Sequence, residues 1–234
     1  MKIVNPSVHL IDFQGSDISV VNAARVSFNK ESEWVIETIG DEYSWSAIEK
    51  LSDKDQKLIN YLAKHNHWSP FAHNSLTFRI KAPIFVARQL VKHCVGGVWN
   101  EVSRRYVDDE PEFYLPSLWH KAPTNAKQGA SEEILNWKAP EFYSYTGSPY
   151  GPLEIALEVY NSALKQGMAP EEARMFLPLN TMTEWWWTGS LMFFARVCKQ
   201  RLDSHAQNAT RDIAKMIAEQ IPQEFQHSWK ALMQ

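Results

Sequence analysis

Residues 75–94 read SLTFRIKAPIFVARQLVKHC, and the class of fold turns on this stretch. Leu76, Phe78 and Ile80 alternate with Thr77, Arg79 and Lys81, the period of a strand with one wet face. Pro83 then takes the favoured first-turn position of a helix. From there the period lengthens: Ile84, Ala87, Val91 and Cys94 fall at i, i+3, i+7 and i+10 and predict a buried stripe. Gly96-Gly97 closes that helix near residue 94.

Outward from this unit, residues 3–12 read as a strand and 19–27 as a short helix. Residues 53–64 predict a helix with Leu58, Tyr61 and Leu62 on one face. Downstream, 98–107 reads as a strand and 182–188 as another. Helices are predicted at 152–165, 170–176, 189–202, 204–219 and from Pro222 onward. Strands and helices mix without regular βαβ alternation, so the expected class is α+β. We expect a single domain over residues 1–234, with a long surface excursion at about 108–150, acidic at first and then rich in Pro, Gly, Ser and Tyr.

The composition excludes several function classes. Of 234 residues, 44% are hydrophobic and 22% charged, as in a folded globular protein. Two cysteines rule out a disulfide framework and a four-cysteine zinc site held by one chain. The net charge of -3 argues against a nucleic-acid partner. No apolar run approaches a membrane span and the start carries no signal-peptide core, so a cytoplasmic location is expected. Ten tryptophans against nine glycines is an unusual balance of large flat side chains over flexible joints.

Charge concentrates in one segment. Between residues 88 and 105 there are four cations (Arg88, Lys92, Arg104, Arg105) and one anion, Glu101. Such a concentration in an acidic protein suits a compact anion such as a phosphate; a solvated cationic face is the bland alternative. On a strand, Arg104 and Arg105 would point to opposite faces. Arg174 follows on a short helix. Arg196 and Arg201 lie on a mostly apolar helix, where a buried cation needs a partner; Asp203 is a ready one for Arg201. No glycine-rich dinucleotide loop or Walker loop is present, so a phosphate site must use arginines, hydroxyls and helix starts such as that at Gly189-Ser190. His65 and His67 do not face each other on a helix and have no nearby carboxylate, so no metal site is expected. Core packing explains Cys94 and Cys198 better than a nucleophile does.

The segments HWSPFAH at 67–73, APIFVARQ at 82–89, KHC at 92–94 and NEVSRRY at 100–106, with Leu177-Pro178 and RLDSHAQ at 201–207, resemble the flavin-dependent thymidylate synthases in order and spacing. The resemblance covers roughly residues 20–107 and 170–210. It implies reductive methylation of dUMP to dTMP, with methylenetetrahydrofolate as carbon donor, FAD as hydride carrier and NADPH as reductant. It also implies a central mixed or antiparallel sheet flanked by helices, and a homotetramer with active sites between subunits. By the resemblance, Gln89, Lys92, Glu101, Ser103, Arg104, Arg105 and Arg174 fall where the family holds the nucleotide. Arg201 falls on the arginine that favours the ionised uracil ring, a catalytic role. His67, Ser69, Lys92, His93, Cys94, Glu101, Ser190, Met192 and Arg196 fall at FAD positions.

This sequence departs from the family pattern in places. The usual Arg-His-Arg triplet is Lys92-His93-Cys94, one extra residue separates His93 from Ser103, Ala72 replaces a common acid, and Ser190 and Met192 replace an Asn and an Arg. Two other readings compete. Tryptophans beside a cationic patch suit a non-catalytic binder of single-stranded nucleic acid or nucleotides. The replaced arginines at 94 and 192 suit a protein that has lost activity.

Overall fold

The computed structural model describes residues 1–40, 45–107, 109–124, 129–137 and 150–234. The first elements are β1 (Lys2–Ile3), β2 (Ser7–Gln14) and α1 (Asp17–Arg25), then a hairpin of β3 (Val35–Gly40) and β4 (Trp45–Lys50). The middle of the chain forms α2 (Asp53–Lys64), β5 (Ser75–Pro83), α3 (Ile84–Leu90) and β6 (Gly97–Glu101). Short strands β7 (Glu112–Phe113), β8 (Trp119–His120) and β9 (Ile134–Leu135) precede α4 (Gly151–Lys165) and α5 (Pro170–Ala173). The last elements are β10 (Met182–Gly189), α6 (Leu191–Arg201), α7 (Asn208–Glu219) and α8 (Gln226–Met233).

Four strands make the central sheet in the order β2-β5-β10-β6, each pair antiparallel. The alternation read at 75–81 is what seats β5 in the middle. Leu76, Phe78 and Ile80 are fully buried, and opposite them on β10 stand Gly189, Trp187 and Trp185. Trp186 points the other way and is 49% exposed, beside Arg79. The period of two thus divides the tryptophan triplet between core and outer face. Trp99 of β6 stacks on Trp185 with centroids 4.4 Å apart. Helix α6 closes this face with Phe193 and Phe194, each worth about 1.5–3 kcal/mol of burial. Phe193 fits because Gly97 and Gly189 leave room: a Cβ there would lie 2.5 Å and 2.3 Å from its ring. The α+β class and the antiparallel sheet flanked by helices agree with the sequence expectation.

Some expected boundaries move. Helix α3 stops at Leu90, four residues early, and Val91 and Cys94 are exposed. The buried stripe is Val86, Ala87 and Leu90 instead. A side chain from another helix explains the stop. The Gln89 carbonyl, which would accept the His93 N–H in a continuing helix, accepts from the Arg201 guanidinium. The His93 N–H turns back to the Leu90 carbonyl. Strand β6 likewise ends at Glu101, so Arg104 and Arg105 sit in a turn closed by Tyr106 N–H to the Ser103 carbonyl, 3.0 Å. The opposite-faces argument therefore does not apply to them.

On α2 the buried positions are Asp55, Ile59 and Leu62, while Tyr61 is exposed. Asp55 turns inward because Arg25, Ser32 and Ser52 all donate to it. Burial pulls its carboxyl upward, but these bonds hold it below the usual carboxylate range. The region at 108–150 is not wholly superficial. β7 pairs with β1 in parallel, and Phe113 is fully buried with Leu153, Leu157, Tyr160, Ala163 and Ala173 in a second core. Residues 108, 125–128 and 138–149 of that excursion lie outside the described residues. No described helix is long and apolar enough to cross a membrane.

Candidate functional site

The sequence-predicted residues gather in three places. The first is an open cleft of about 910 Å³ where β6 runs into the 103–106 turn, facing the segment after α5. Glu101, Ser103, Arg104, Arg105 and Arg174 all line it. Arg105 Nε donates to Ser103 Oγ at 3.2 Å, and its guanidinium lies 5.0 Å from the Tyr106 ring centre. Arg104 donates to the Asp109 carbonyl at 2.8 Å, and Arg174 to the Glu171 carbonyl at 3.2 Å. Among the described residues none of these three guanidinium groups pairs with a carboxylate. Neutral acceptors hold them while their charge stays available to an anion. Glu101 is fixed by Thr183 Oγ1 at 2.7 Å and Trp99 Nε1 at 3.1 Å. Lys2 and Lys81, which the sequence did not single out, also line the cleft, but both are committed to Glu112.

The second place lies where the end of α3 meets the end of α6. Arg201, half-buried, donates from Nε to His93 Nε2 at 2.9 Å and from Nη2 to the Gln89 carbonyl at 3.3 Å. The Gln89 side chain donates to Gln207 Oε1 at 2.5 Å and accepts from the buried Thr210 hydroxyl at 3.1 Å. Burial, with the charges of Arg201 and Arg196, pushes His93 down to about 4. The expected Arg201–Asp203 pair is absent: Asp203 instead accepts from the backbone N–H and ring of His205. Lys92 and Cys94 are exposed beside this cluster. Sequence reading missed Thr210 and left Gln207 without a role, because their partner lies more than a hundred residues away.

The third place is the first half of α6. Ser190 caps that helix, its hydroxyl accepting from Phe193 N–H at 3.2 Å. Met192, Arg196 and His67 border a small hollow shared with Trp68 and Lys199. Arg196 is exposed, contrary to the expectation of a buried cation there, and donates to the Val95 carbonyl at 2.9 Å; of the two arginines on α6 only Arg201 is partly buried. Trp68 is 60% exposed, and the rings of Tyr61, His65 and His67 cluster with one another, Tyr61 and His65 4.3 Å apart. Ser69 is exposed in the 3-10 turn at Ser69–Ala72. Cys198, deep in the core, has its thiol pushed up to about 12 by burial. Among the described residues no three His, Cys, Asp or Glu side chains come together as a metal-binding group.

The family described as thymidylate synthase complementing protein matches residues 9–225. The flavin-dependent thymidylate synthases of Thermosipho africanus and Thermosipho melanesiensis are 34% and 36% identical over 226 residues. Those alignments cover 94% of this chain and 89% and 88% of the relatives. The chain belongs to the flavin-dependent thymidylate synthase family. The structure of a UMP/dUMP methylase, PolB from Streptomyces cacaoi, bound with 5-Br dUMP, superposes with a TM-score of 0.76 at 27% identity, covering 99% of this chain and 96% of that one. The residues expected to hold the nucleotide divide into two sets. In this chain the sets occupy separate surfaces: Gln89, Lys92 and Arg201 do not line the cleft that holds Arg104, Arg105 and Arg174.

Proposed function

We propose that this chain methylates dUMP to dTMP, taking the one-carbon unit from methylenetetrahydrofolate and using FAD reduced by NADPH. The observation that carries this reading is the cleft of Arg104, Arg105 and Arg174, three guanidinium groups held by neutral acceptors. A nucleotide phosphate supplies the missing anion, and Ser103 adds a hydroxyl within the same turn. Glu101, Gln89 and Lys92 complete the nucleotide set. The chemistry of the third place fits a flavin dinucleotide. Exposed Trp68 and the His67 ring suit a planar heterocycle, while Arg196 and the Ser190 helix start, with Lys92 from the second place, suit a diphosphate. His67, Ser69, Lys92, His93, Cys94, Glu101, Ser190, Met192 and Arg196 would hold it. When bound, the flavin supplies a hydride to the one-carbon unit.

Arg201 is the catalytic residue in this reading. A fixed guanidinium beside the uracil ring favours its anionic form and raises the electron density at the carbon to be methylated. Separation of Gln89, Lys92 and Arg201 from the cleft arginines in one chain supports a working site assembled from more than one copy, as a homotetramer with sites between subunits. We read residues 1–234 as one cytoplasmic domain, with neither a nucleic-acid nor a membrane partner. The test is an omission assay. The protein should make dTMP from dUMP only when methylenetetrahydrofolate, FAD and NADPH are all present. No product from the complete mixture, or tight binding of single-stranded oligonucleotides by flavin-free protein, would overturn the reading.

A further inference from the structure

Arg201 is a half-buried cation, and among the described residues no carboxylate lies within ion-pair distance of it. Such a group is usually paired. Here two neutral acceptors hold it: the His93 ring at 2.9 Å and the Gln89 carbonyl at 3.3 Å. The geometry also fixes the state of the imidazole. Arginine Nε–H only donates, so His93 Nε2 must present a lone pair, which leaves the proton on Nδ1 and the ring neutral. Burial and the charges of Arg201 and Arg196 favour the same neutral form. The Gln89 side chain bonds to Gln207 and Thr210, which ties the residue bearing the second acceptor to the start of α7. Asp203, the nearest acid in sequence, is engaged with His205.

We propose that His93 is a positioning residue for Arg201: its neutral ring fixes the guanidinium in place while leaving the positive charge uncompensated. A carboxylate at that point would hold the guanidinium more strongly but cancel much of its field, and the field is what a developing ring anion needs. Fixation and charge are thus supplied by different groups. This proposal rests on the catalytic role of Arg201 given above. It assigns His93 a task separate from any contact with flavin.

Two near-isosteric variants test it. Glutamine and glutamate each carry an acceptor oxygen to the place of His93 Nε2 and differ from each other only by a charge. With rates normalised to bound flavin, His93→Gln should lose less than about tenfold in kcat. His93→Glu should lose about 100-fold or more, the size of one removed preorganised charge, with KM for dUMP little changed. The Glu variant should melt no lower than the Gln variant, because its ion pair with Arg201 is stronger. A merely structural role for His93 predicts the opposite ranking, with Glu as active as Gln or more so, and that ranking overturns the proposal.

A second readout needs no turnover. In the ultraviolet difference spectrum of bound 5-bromo-dUMP, the Gln variant should keep the ionised ring and the Glu variant should shift it toward the neutral form. Identical spectra for the two also overturn the proposal. Arg201→Gln serves as the separate control. If it retains near-normal turnover, the catalytic reading of Arg201 has failed. If it is inactive while the two His93 variants match, only the positioning role has failed.

Discussion

Among the described residues neither Arg105 nor Arg201 has a carboxylate partner, yet they are held in different ways. Arg105 sits in an exposed turn, steadied by its neighbours Ser103 and Tyr106. Arg201 is half-buried and clamped by a carbonyl of α3 and a ring just beyond the end of that helix, and the carbonyl's residue is locked in turn at the start of α7. A local turn can adjust to an arriving phosphate, so its arginines suit binding. A cross-helix clamp must be built before the ligand arrives, so its arginine suits preorganised stabilisation of charge that appears only during reaction. On the proposed reading the same residue type serves capture in one place and chemistry in the other, and the difference teaches that the surroundings decide which.

The strongest way to break this contrast is Arg201→Ala. Removing one preorganised cation should lower kcat by about 100- to 1000-fold. Flavin content, read by absorbance, should be retained. A loss under tenfold would dissolve the distinction between the two sets. Next in size is the seat of α6, the helix that carries Arg201. Gly189→Ala drives a Cβ to 2.3 Å from Phe193 and should destabilise the fold by about 1–3 kcal/mol. Thermal melting and kcat should fall together if the seating of α6 sets the position of Arg201.

The open cleft is expected to respond differently. Arg105→Ala and Arg174→Ala should each raise KM for dUMP about tenfold, the loss of one charge-assisted contact of roughly 1.5 kcal/mol. Their kcat should change less than that of Arg201→Ala. Steady-state kinetics at varied dUMP would show it, and equal kcat losses at all three sites would erase the contrast. The last effect concerns pH and leaves turnover aside. The folded-state value of His93, about 4, lies below the ordinary 6.5, so between these values the unfolded chain binds the extra proton. This contribution to stability is fully present above about pH 6.5. It is lost as pH falls toward 4, at up to about 1.4 kcal/mol per pH unit. Denaturant melts across that range should show the slope in the wild type and a shallower one in His93→Gln.

Much of the fold was legible in the sequence because its signals are local. The alternation at Leu76, Phe78 and Ile80 placed β5; the division of Trp185 and Trp187 from Trp186 emerged only with the folded strand. The motifs at 67–73, 82–89 and 100–106 were enough to point to the family. What escaped was set by distant partners. Nothing near Gln89 announces that its carbonyl will accept from Arg201, so the early end of α3 and the exposure of Cys94 could not be foreseen. The rotation of α2 toward Asp55 depends on Arg25, thirty residues away, and the burial of Phe113 depends on α4. Asp203 looked like the partner of Arg201 because it is close in sequence; the folded chain chose His93, which is close in space. The three separate locations of the candidate site likewise follow from packing, which local spacing does not encode.

The visible absorption spectrum of the purified protein, with and without dUMP, tests the central claim most directly. The account predicts flavin bands from bound or readily taken-up FAD, perturbed when dUMP enters the cleft lined by Arg105 and Arg174. A colourless protein that takes up no added FAD, or flavin bands that dUMP leaves untouched at any concentration, would contradict it.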